Sequence, residues 1–453
     1  MREKTKYNPE NIFLILGAFF IGISIFAFPL NRIPDETNHA RMAWQIVYTR
    51  TNNSFDWMNS IENIDKVSFP EYKNLFTEKI NLANDQVENN FSIKNIPHIP
   101  QLLGMLLGKS IYPSVGVIMT MGRITNALFY LISLFFIIKK LKFGKFPLAF
   151  ISLLPISIQQ ASSLSYDVVN FVFVSFVFFL ISNLVINRNL NYKNIMGIII
   201  AFIGCYVTKM NNFFLLLLFP LLKIHFSDKF KKANNFLNQV YQLIARFKYF
   251  VLFISVFFIS IVAVFYFKDK GGITHFIQVM INSVLNTNLN GHINGILSLG
   301  IFGFLGQFQV QMPLWIIYID IVVLVLLMFQ LDLVDVDIET NFGIASALMF
   351  PLQVLVIIGG MYFAWTPLVL GDNASISVGA QGRYFTPFLI FFSPFFLSIK
   401  NSVALVFQKN TVKKIVIITL IVNFLIMTYL IVFYYWIPDY ETDWLIRIRE
   451  LLN

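Results

Sequence analysis

The sequence has little charge and almost no cysteine. Only 13% of its 453 residues are charged, and Cys205 is the single cysteine. One cysteine excludes a disulfide framework and a thiolate metal cluster. The chain also has no Walker loop, no dinucleotide-binding glycine motif, no HExxH and no GxSxG. The usual sequence signatures of nucleotide-binding enzymes, zinc proteases and serine hydrolases are therefore missing.

What the sequence has instead is apolar residues in long runs. Hydrophobic residues make up 57% of the chain and Phe occurs 51 times, and the mean hydropathy is +0.68. Soluble domains contain roughly 45–50% apolar residues and could not hide this much apolar surface. Runs such as 171–185 and 415–436 approach or exceed the ~20 residues that cross a bilayer. These features predict an integral membrane protein.

The run lengths predict an all-α polytopic membrane protein that forms a single domain over residues 1–453, with about eleven transmembrane helices. We expect spans at 11–30, 114–138, 146–162, 168–186, 194–208, 212–224, 249–267, 313–330, 342–364, 383–399 and 415–436. The long first external loop, 31–113, should contain short amphipathic helices. A basic cytoplasmic loop, 223–248, should contact anionic lipid headgroups. The spans on either side of Lys209 are short, which suggests broken helices around a polar cavity.

The basic residues indicate orientation rather than nucleic-acid binding. The net charge is +10, but Lys and Arg gather in short loops between spans, so we expect no nucleic-acid partner. They are denser on the side that includes the N-terminus, which places the N-terminus inside and the 31–113 loop outside. The turns near Asp167, Lys209 and Arg383 then share the outer face with that loop, so polar chemistry should converge there.

A cluster of acidic and imidazole side chains follows the first span directly, in the motif Pro34-Asp35-Glu36-Thr37-Asn38-His39. On a helix, Asp35 and Glu36 lie four and three residues from His39, so all three can share one face as an acid/base or metal site. A divalent cation, Mg²⁺ or Mn²⁺, bridging Glu36 and a phosphate is compatible with this cluster but not required. The alternative is that Asp35 caps the helix and Glu36 complements its dipole, each worth ~1 kcal/mol.

Other polar residues lie near the ends of spans. Ser165 or Asp167 is expected to cap the fourth span. Lys209 and Arg383 are each explained by interfacial snorkelling, but together on the side of Asp35 they could clamp a phosphate. Arg123 lies inside the second span, where it costs at least ~2.5 kcal/mol in lipid, so it should face protein or a cavity.

Several motifs in this order resemble one family of bacterial membrane proteins along nearly the whole chain. They are Pro34-Asp35-Glu36 with His39, Leu154-Pro155 followed by Ser165-Tyr166-Asp167, the turn at Lys209, and Gln381-Gly382-Arg383-Tyr384-Phe385 with Pro387. The sequence resembles the family catalogued as domain of unknown function 2142, usually grouped with the glycosyltransferase C superfold. The resemblance implies a glycosyltransferase C-like fold, an acidic catalytic base in the first external loop and a polyprenyl-phosphate-linked sugar as donor. Carried over, the base is Asp35, with Glu36 as runner-up.

The function expected from the resemblance is sugar transfer at the outer face of the bacterial cytoplasmic membrane. The donor is a polyprenyl-phosphate-linked sugar, the acceptor is a cell-envelope glycan or lipid, and membrane lipids are further partners. The candidate substrate-binding residues are His39, Arg41, Asp167, Lys209, Arg383 and Tyr384. A transporter or flippase of lipid-linked sugars would also need charged groups facing a cavity, although the chain shows no internal repeat. A polysaccharide polymerase or ligase is a further alternative.

Overall fold

The computed structural model of the chain describes most of its length. The described residues are 8–48, 57–58, 69–82, 85–88, 90–222, 224–226, 231–268, 271–285, 295–330, 338–372, 374–400 and 408–437. Parts of the expected 31–113 and 223–248 loops, most of the acidic stretch 331–341 and the C-terminal end of the chain lie outside the described residues.

Helices form nearly all of the described structure. In chain order the α-helices are α1 (Pro9–Ala27), α2 (Glu36–Trp44), α3 (Phe69–Thr77), α4 (Ile99–Ile111), α5 (Val115–Lys140), α6 (Lys145–Ile151), α7 (Pro155–Ala161), α8 (Asp167–Asn187), α9 (Tyr192–Val207), α10 (Lys231–Arg246), α11 (Lys248–Phe267), α12 (Gly272–Leu285), α13 (Gly300–Phe302), α14 (Leu314–Gln330), α15 (Thr340–Ala347), α16 (Met349–Ala364), α17 (Thr366–Leu370), α18 (Ser393–Ser398) and α19 (Lys409–Trp436). Tighter 3₁₀ turns cover Ile93–His98, Met210–Leu222, Gly382–Tyr384 and Thr386–Phe392, and Gly295–Leu299 is a π-helical turn.

The strands are short and come in two pairs. β1 (Asn189–Leu190) pairs in parallel with β2 (His225–Phe226), so that Asn189 lies opposite His225. β3 (Phe304–Leu305) and β4 (Val310–Gln311) form a small antiparallel hairpin. Neither pair is large enough to build a sheet core, so helix packing carries the fold.

Several helices are long and apolar enough to cross a bilayer. In the described chain there are five: Pro9–Ala27, Val115–Lys140, Asp167–Asn187, Thr340–Ala364 and Asn410–Trp436. Shorter apolar helices of 10–17 residues are Tyr192–Val207, Met210–Leu222, Gly272–Leu285, Leu314–Phe329 and Thr386–Ser398. The coarse prediction of a helical membrane protein is confirmed, because a helix needs roughly 17–25 apolar residues to span the hydrocarbon.

The structure corrects the predicted spans in three places. The predicted span 146–162 is two helices, because Leu154 is extended and Pro155 begins α7. A proline favours an extended residue before it and suits the first position of a helix. The predicted span 212–224 is a 3₁₀ helix that contains Pro220. The apolar helix α12 was not among the predicted spans.

The helix α4 packs against α5 through glycines. A side chain at Gly104 would clash with the backbone of Met121, and one at Gly108 would press on the backbone of Ile118. Small residues four apart let two helices approach closely. A second hydrophobic core forms around this contact and includes Trp44 of α2. α2 is therefore held against α4 and the Ile93–His98 turn.

Candidate functional site

A left-handed turn separates the first long helix from α2 and aims Asp35. Asp35 adopts φ 64° and ψ 12° at the N-cap position of α2, and its side chain makes no capping hydrogen bond. The expectation that Asp35 caps the helix is therefore wrong. Left-handed backbone is uncommon outside glycine and is best tolerated by Asn and Asp. This backbone turns the Asp35 carboxylate away from the helix end and leaves it 41% exposed.

Glu36, the next residue, points in the opposite direction into the protein. Its carboxylate pairs with the guanidinium of Arg123, with Nε–Oε1 and Nη2–Oε2 distances of 2.7 and 2.6 Å. Both side chains are fully buried. Arg123 also donates to the carbonyl oxygens of Ile25, Phe28 and Pro29 at the end of α1. Those carbonyls lack helical partners, so Arg123 satisfies the end of α1. The prediction that Arg123 faces protein is confirmed.

The remaining bonds of Glu36 tie two loops together. The backbone N–H of Asn31 donates to Oε2 at 2.8 Å, and the N–H of Leu164 donates to Oε1 at 3.3 Å. Both carboxylate oxygens thus accept protein hydrogen bonds, and neither reaches solvent. This geometry favours a structural role for Glu36 over the runner-up catalytic role.

A metal ion does not fit at Glu36. Mg²⁺ and Mn²⁺ need carboxylate oxygens open to the cavity, whereas those of Glu36 are occupied by Arg123 and two backbone N–H groups. Within the described ranges, no three His, Cys, Asp or Glu side chains are arranged to hold a metal ion.

The exposed carboxylate of Asp35 meets a buried arginine from the far end of the chain. Arg383 Nη2 lies 2.6 Å from Asp35 Oδ2, and Nη1 donates to the Pro34 carbonyl oxygen at 3.2 Å. The Arg383 side chain is only 3% exposed. Its Nε lies 3.0 Å from Oδ2 of Asp167, so one guanidinium bridges two carboxylates.

Lys209 completes a cluster of two acids and two bases. Its Nζ lies 2.6 Å from Asp167 Oδ1 and 3.9 Å from the centre of the Tyr384 ring. Burial is the largest single effect and disfavours the charged amine, but the Asp167 carboxylate together with Tyr166 and Tyr384 raises the pKa of Lys209 above its ordinary value. The four charges of Asp35, Asp167, Lys209 and Arg383 cancel formally. We call these four residues the charged cluster.

Hydrogen bonds within and onto the loop 162–167 hold Asp167 in position. Ser165 Oγ accepts from the Asp167 N–H at 3.2 Å, but the N-cap position of α8 is Tyr166, whose side chain makes no capping bond, so neither Ser165 nor Asp167 is the N-cap. Asn126 of α5 donates to the carbonyl oxygens of Ser163 and Ser165 at 2.8 and 3.0 Å. With its backbone fixed in this way, Asp167 directs its carboxylate towards both cations.

Arg383 depends on a close backbone contact. A side chain at Gly382 would clash with the backbone of Gly300 in α13, so only glycine fits there. Thr386 Oγ1 donates to the Ile301 carbonyl oxygen at 2.8 Å and fixes the same junction. The Gly382–Tyr384 turn is thus held tightly against α13, which sets the position of the Arg383 guanidinium.

Two imidazoles lie beside the cluster. The rings of His39 and His98 flank Tyr166, with centroids 4.9 and 5.3 Å from the Tyr166 ring and 5.9 Å from each other. Burial lowers the pKa of His39 to about 3 and that of His98 to about 4, so both are neutral near pH 7. Among the described residues, neither Nδ1 atom has a hydrogen-bond partner.

The structure brings together most of the residues singled out in the sequence. Asp35, Asp167, Lys209, Arg383 and Tyr384 are in contact, and His39 reaches them through Tyr166. Arg41 lies in the last turn of α2 and is partly buried. His98 was missed, since only the fold brings it to His39, and no spacing in the sequence indicates that contact.

Apolar helices of spanning length, with a buried charged cluster where several of them end, define the class of multi-pass membrane proteins. More particularly, the chain belongs to the family described as "Predicted membrane protein (DUF2142)", whose family model matches residues 16–392. All four residues of the charged cluster lie within the matched range. No curated protein and no solved structure matches the chain.

Proposed function

We propose that this protein is a membrane glycosyltransferase of the glycosyltransferase C type. It transfers a sugar from a polyprenyl-phosphate-linked donor to a cell-envelope glycan or lipid at the outer face of the bacterial cytoplasmic membrane. One observation supports this proposal above the others. A half-exposed carboxylate, Asp35, is paired at 2.6 Å with a buried arginine that also belongs to a second acid–base pair.

Asp35 suits the role of general base. Its carboxylate is the most exposed of the cluster, whereas that of Asp167 is 8% exposed and is bound by two cations. In the proposed step Asp35 takes the proton of an acceptor hydroxyl as that oxygen attacks the anomeric carbon. The bond from this carbon to the phosphate oxygen breaks, and its electron pair leaves with the polyprenyl phosphate. Direct displacement inverts the anomeric configuration.

Arg383 and Lys209 suit the leaving phosphate. Cations near the phosphate stabilise the charge that develops on it as the bond breaks. Arg383 Nη1 donates to the Pro34 carbonyl and Nε lies 3.0 Å from the buried Asp167 carboxylate, whereas Nη2 pairs with the exposed carboxylate of Asp35, so Nη2 is the position at which a phosphate oxygen can replace a partner. That partner is Asp35. Donor binding would therefore release the base that the reaction needs.

The proposed location of residues 31–113, which carry Asp35, on the outer face is supported by the density of Lys and Arg in the opposite loops. The amphipathic helix α10 fits contact with anionic lipid headgroups on the inner face. Its ends carry Lys231 and Arg246, and Phe236 and Leu243 on its apolar side are 64% and 60% exposed.

The direct test is sugar transfer by the purified full chain in proteoliposomes. A polyprenyl-phosphate sugar labelled in the sugar is supplied on one side together with a mixture of envelope glycan and lipid acceptors. We expect label in the acceptor with inverted anomeric configuration, established by NMR. If labelled donor instead crosses the bilayer intact, the protein is a flippase. Retention of configuration would rule out direct displacement with Asp35 as base.

A further inference from the structure

A cavity of about 220 Å³ lies against the charged cluster on the side of Arg383 and Pro34. Its walls are mostly apolar and come from parts of the chain that are distant in sequence. Ile156 of α7 forms one side, Ile296 of the π-helical turn a second, and Phe304 and Phe308 of the β3–β4 hairpin a third. Arg383, the partner of Asp35, also lines the cavity. The lining is therefore mostly apolar, and Arg383 is its cation.

The cavity also contains polar groups without a partner. Gln159 lines it and is 1% exposed. Its Oε1 accepts from the Gly306 N–H at 2.7 Å, but within the described structure its Nε2 has no hydrogen-bond partner. Gln381 also lines the cavity, and within the described structure its Oε1 has no hydrogen-bond partner either. Buried amide groups are rarely left unpaired, so a ligand with both polar and apolar parts fits this cavity better than a hydrocarbon alone.

The aromatic wall is held in a strained conformation. Phe308 has φ 60°, which is rarely found for a bulky residue. Its side chain lines the cavity and is 43% exposed overall. The short hairpin and a hydrogen bond from Gln307 Nε2 to the Asn31 carbonyl oxygen, at 2.6 Å, hold the turn in place. Strain of this kind persists where the surrounding structure enforces it, commonly at ligand clamps. Phe308 is thus positioned to cover an occupant of the cavity.

We propose that this cavity binds the stretch of apolar chain next to the anionic head of a prenyl-phosphate lipid, with the head at Arg383. Apolar walls that end at a buried guanidinium complement such an amphiphile, whereas inorganic phosphate would leave the walls unused. At roughly 30 Å³ for each water-sized group, the cavity of about 220 Å³ holds about seven such groups. If each carbon of the chain takes about that volume, one or two five-carbon units fit. The inference rests on the proposed role of Arg383 and adds to it a specificity site for the lipid, built from Ile296 and Phe308.

The test measures binding and does not depend on turnover. Dissociation constants are determined by calorimetry for the full chain in nanodiscs, with empty nanodiscs subtracted, using inorganic phosphate, a five-carbon prenyl phosphate and geranyl phosphate. Each methylene of the prenyl chain that is buried in the cavity should raise the affinity of the phosphate ligand by up to about fourfold. We expect geranyl phosphate to bind at least tenfold more tightly than inorganic phosphate.

Two variants probe the cavity from opposite directions. Ile296→Trp fills it and Phe308→Ala removes its aromatic wall, and each should abolish most of the gain with chain length while leaving inorganic phosphate affinity unchanged. Leu103→Trp is the control, because Leu103 lines a separate apolar groove of about 360 Å³ between α4, α5 and α8. If only Leu103→Trp removes the gain, the chain binds in that groove and the proposal is wrong.

The outcomes separate this inference from the proposed function. A chain-length gain that is lost in Ile296→Trp or Phe308→Ala supports the cavity even if no sugar transfer is found. Equal affinity for all three phosphates would overturn the cavity proposal even in a fully active transferase. If one variant does not fold, the other still decides the question, since both address the same walls.

Discussion

Asp35 and Glu36 are neighbours with the same charge, yet the fold puts them to opposite uses. Glu36 is sealed in a pair with Arg123, and both side chains are fully buried. Asp35 is 41% exposed and reaches Arg383, which it shares with Asp167. A carboxylate whose oxygens are all bound within the protein can hold a structure together. A carboxylate with one exchangeable partner and access to solvent can take up a proton.

Burial alone does not distinguish the two arginines of these pairs, but their bonding partners do. Arg123 and Arg383 are both almost inaccessible. They differ in what they bind, because Arg123 joins one carboxylate and three backbone carbonyls, whereas Arg383 joins two carboxylates and one carbonyl. Only around Arg383 can a phosphate replace a carboxylate without unmaking the end of a helix.

The largest effect on stability is expected for Glu36→Gln. This change leaves the Arg123 charge buried without its counter-ion, and breaking a buried pair costs about 3–5 kcal/mol. The variant should lose monodispersity on size exclusion, or unfold well below the wild type in a thermal melt. Asp372→Asn, which removes an exposed carboxylate elsewhere, should melt as the wild type does. A Glu36→Gln protein that melts normally but is inactive would make Glu36 the base.

Arg383→Lys should have the next largest effect, on donor use. Lysine keeps the charge but cannot reach Asp35, Asp167 and the Pro34 carbonyl together. We expect the KM for the lipid donor to rise about 30-fold, which is about 2 kcal/mol, with little change in the KM for the acceptor. Arg188→Lys is the matched control, because the Arg188–Glu339 pair is exposed on both sides and such pairs contribute little. Equal changes in both KM values would remove Arg383 from the donor site.

The sequence singled out Arg123 and Arg383 as residues that need partners. It did not show which of the neighbouring acids, Asp35 or Glu36, would be buried. A charge inside an apolar run must find a partner, so the burial of Arg123 followed from its position. Which acid turns inward depends on the left-handed backbone at Asp35. No local pattern predicts that turn, since Asp35 in an ordinary N-cap would have been equally consistent with the motif.

The last effect is a pH dependence of stability from the imidazoles, which appears only under acidic conditions. Burial places the pKa of His39 near 3 and that of His98 near 4, below the ordinary value of about 6.5. Below pH 6.5 the unfolded chain binds protons that the folded chain refuses. The contribution of the neutral histidines to stability is therefore complete above about pH 6.5 and is lost as pH falls through about 4 for His98 and about 3 for His39. The melting temperature of His39→Gln should fall less over this range than that of the wild type. Parallel curves would show that the folded protein protonates His39 as readily as the unfolded chain does, and would contradict the lowered pKa.

One acid with a clear signal was overlooked in the sequence. Asp320 lies alone in the apolar run of α14, is 1% exposed and accepts from Asn423 Nδ2 of α19 at 2.6 Å. A lone carboxyl within a span could have been identified from the rule that such residues face a partner. The contact between His39 and His98 could not, because it depends on how residues 93–98 pack beside α2. Helix positions followed from local composition, whereas the site follows from long-range packing.

The most direct measurement is the turnover of Asp35→Asn with a polyprenyl-phosphate sugar, using protein shown to be folded. Asparagine tolerates the left-handed backbone and can still accept from Arg383, so folding should be preserved. It cannot take the acceptor's proton, and the loss of a general base typically lowers the rate by ~10² to 10⁴. The account predicts that loss in Asp35→Asn and normal turnover in Asp372→Asn. Wild-type turnover in folded Asp35→Asn would contradict the assignment of Asp35 as the base.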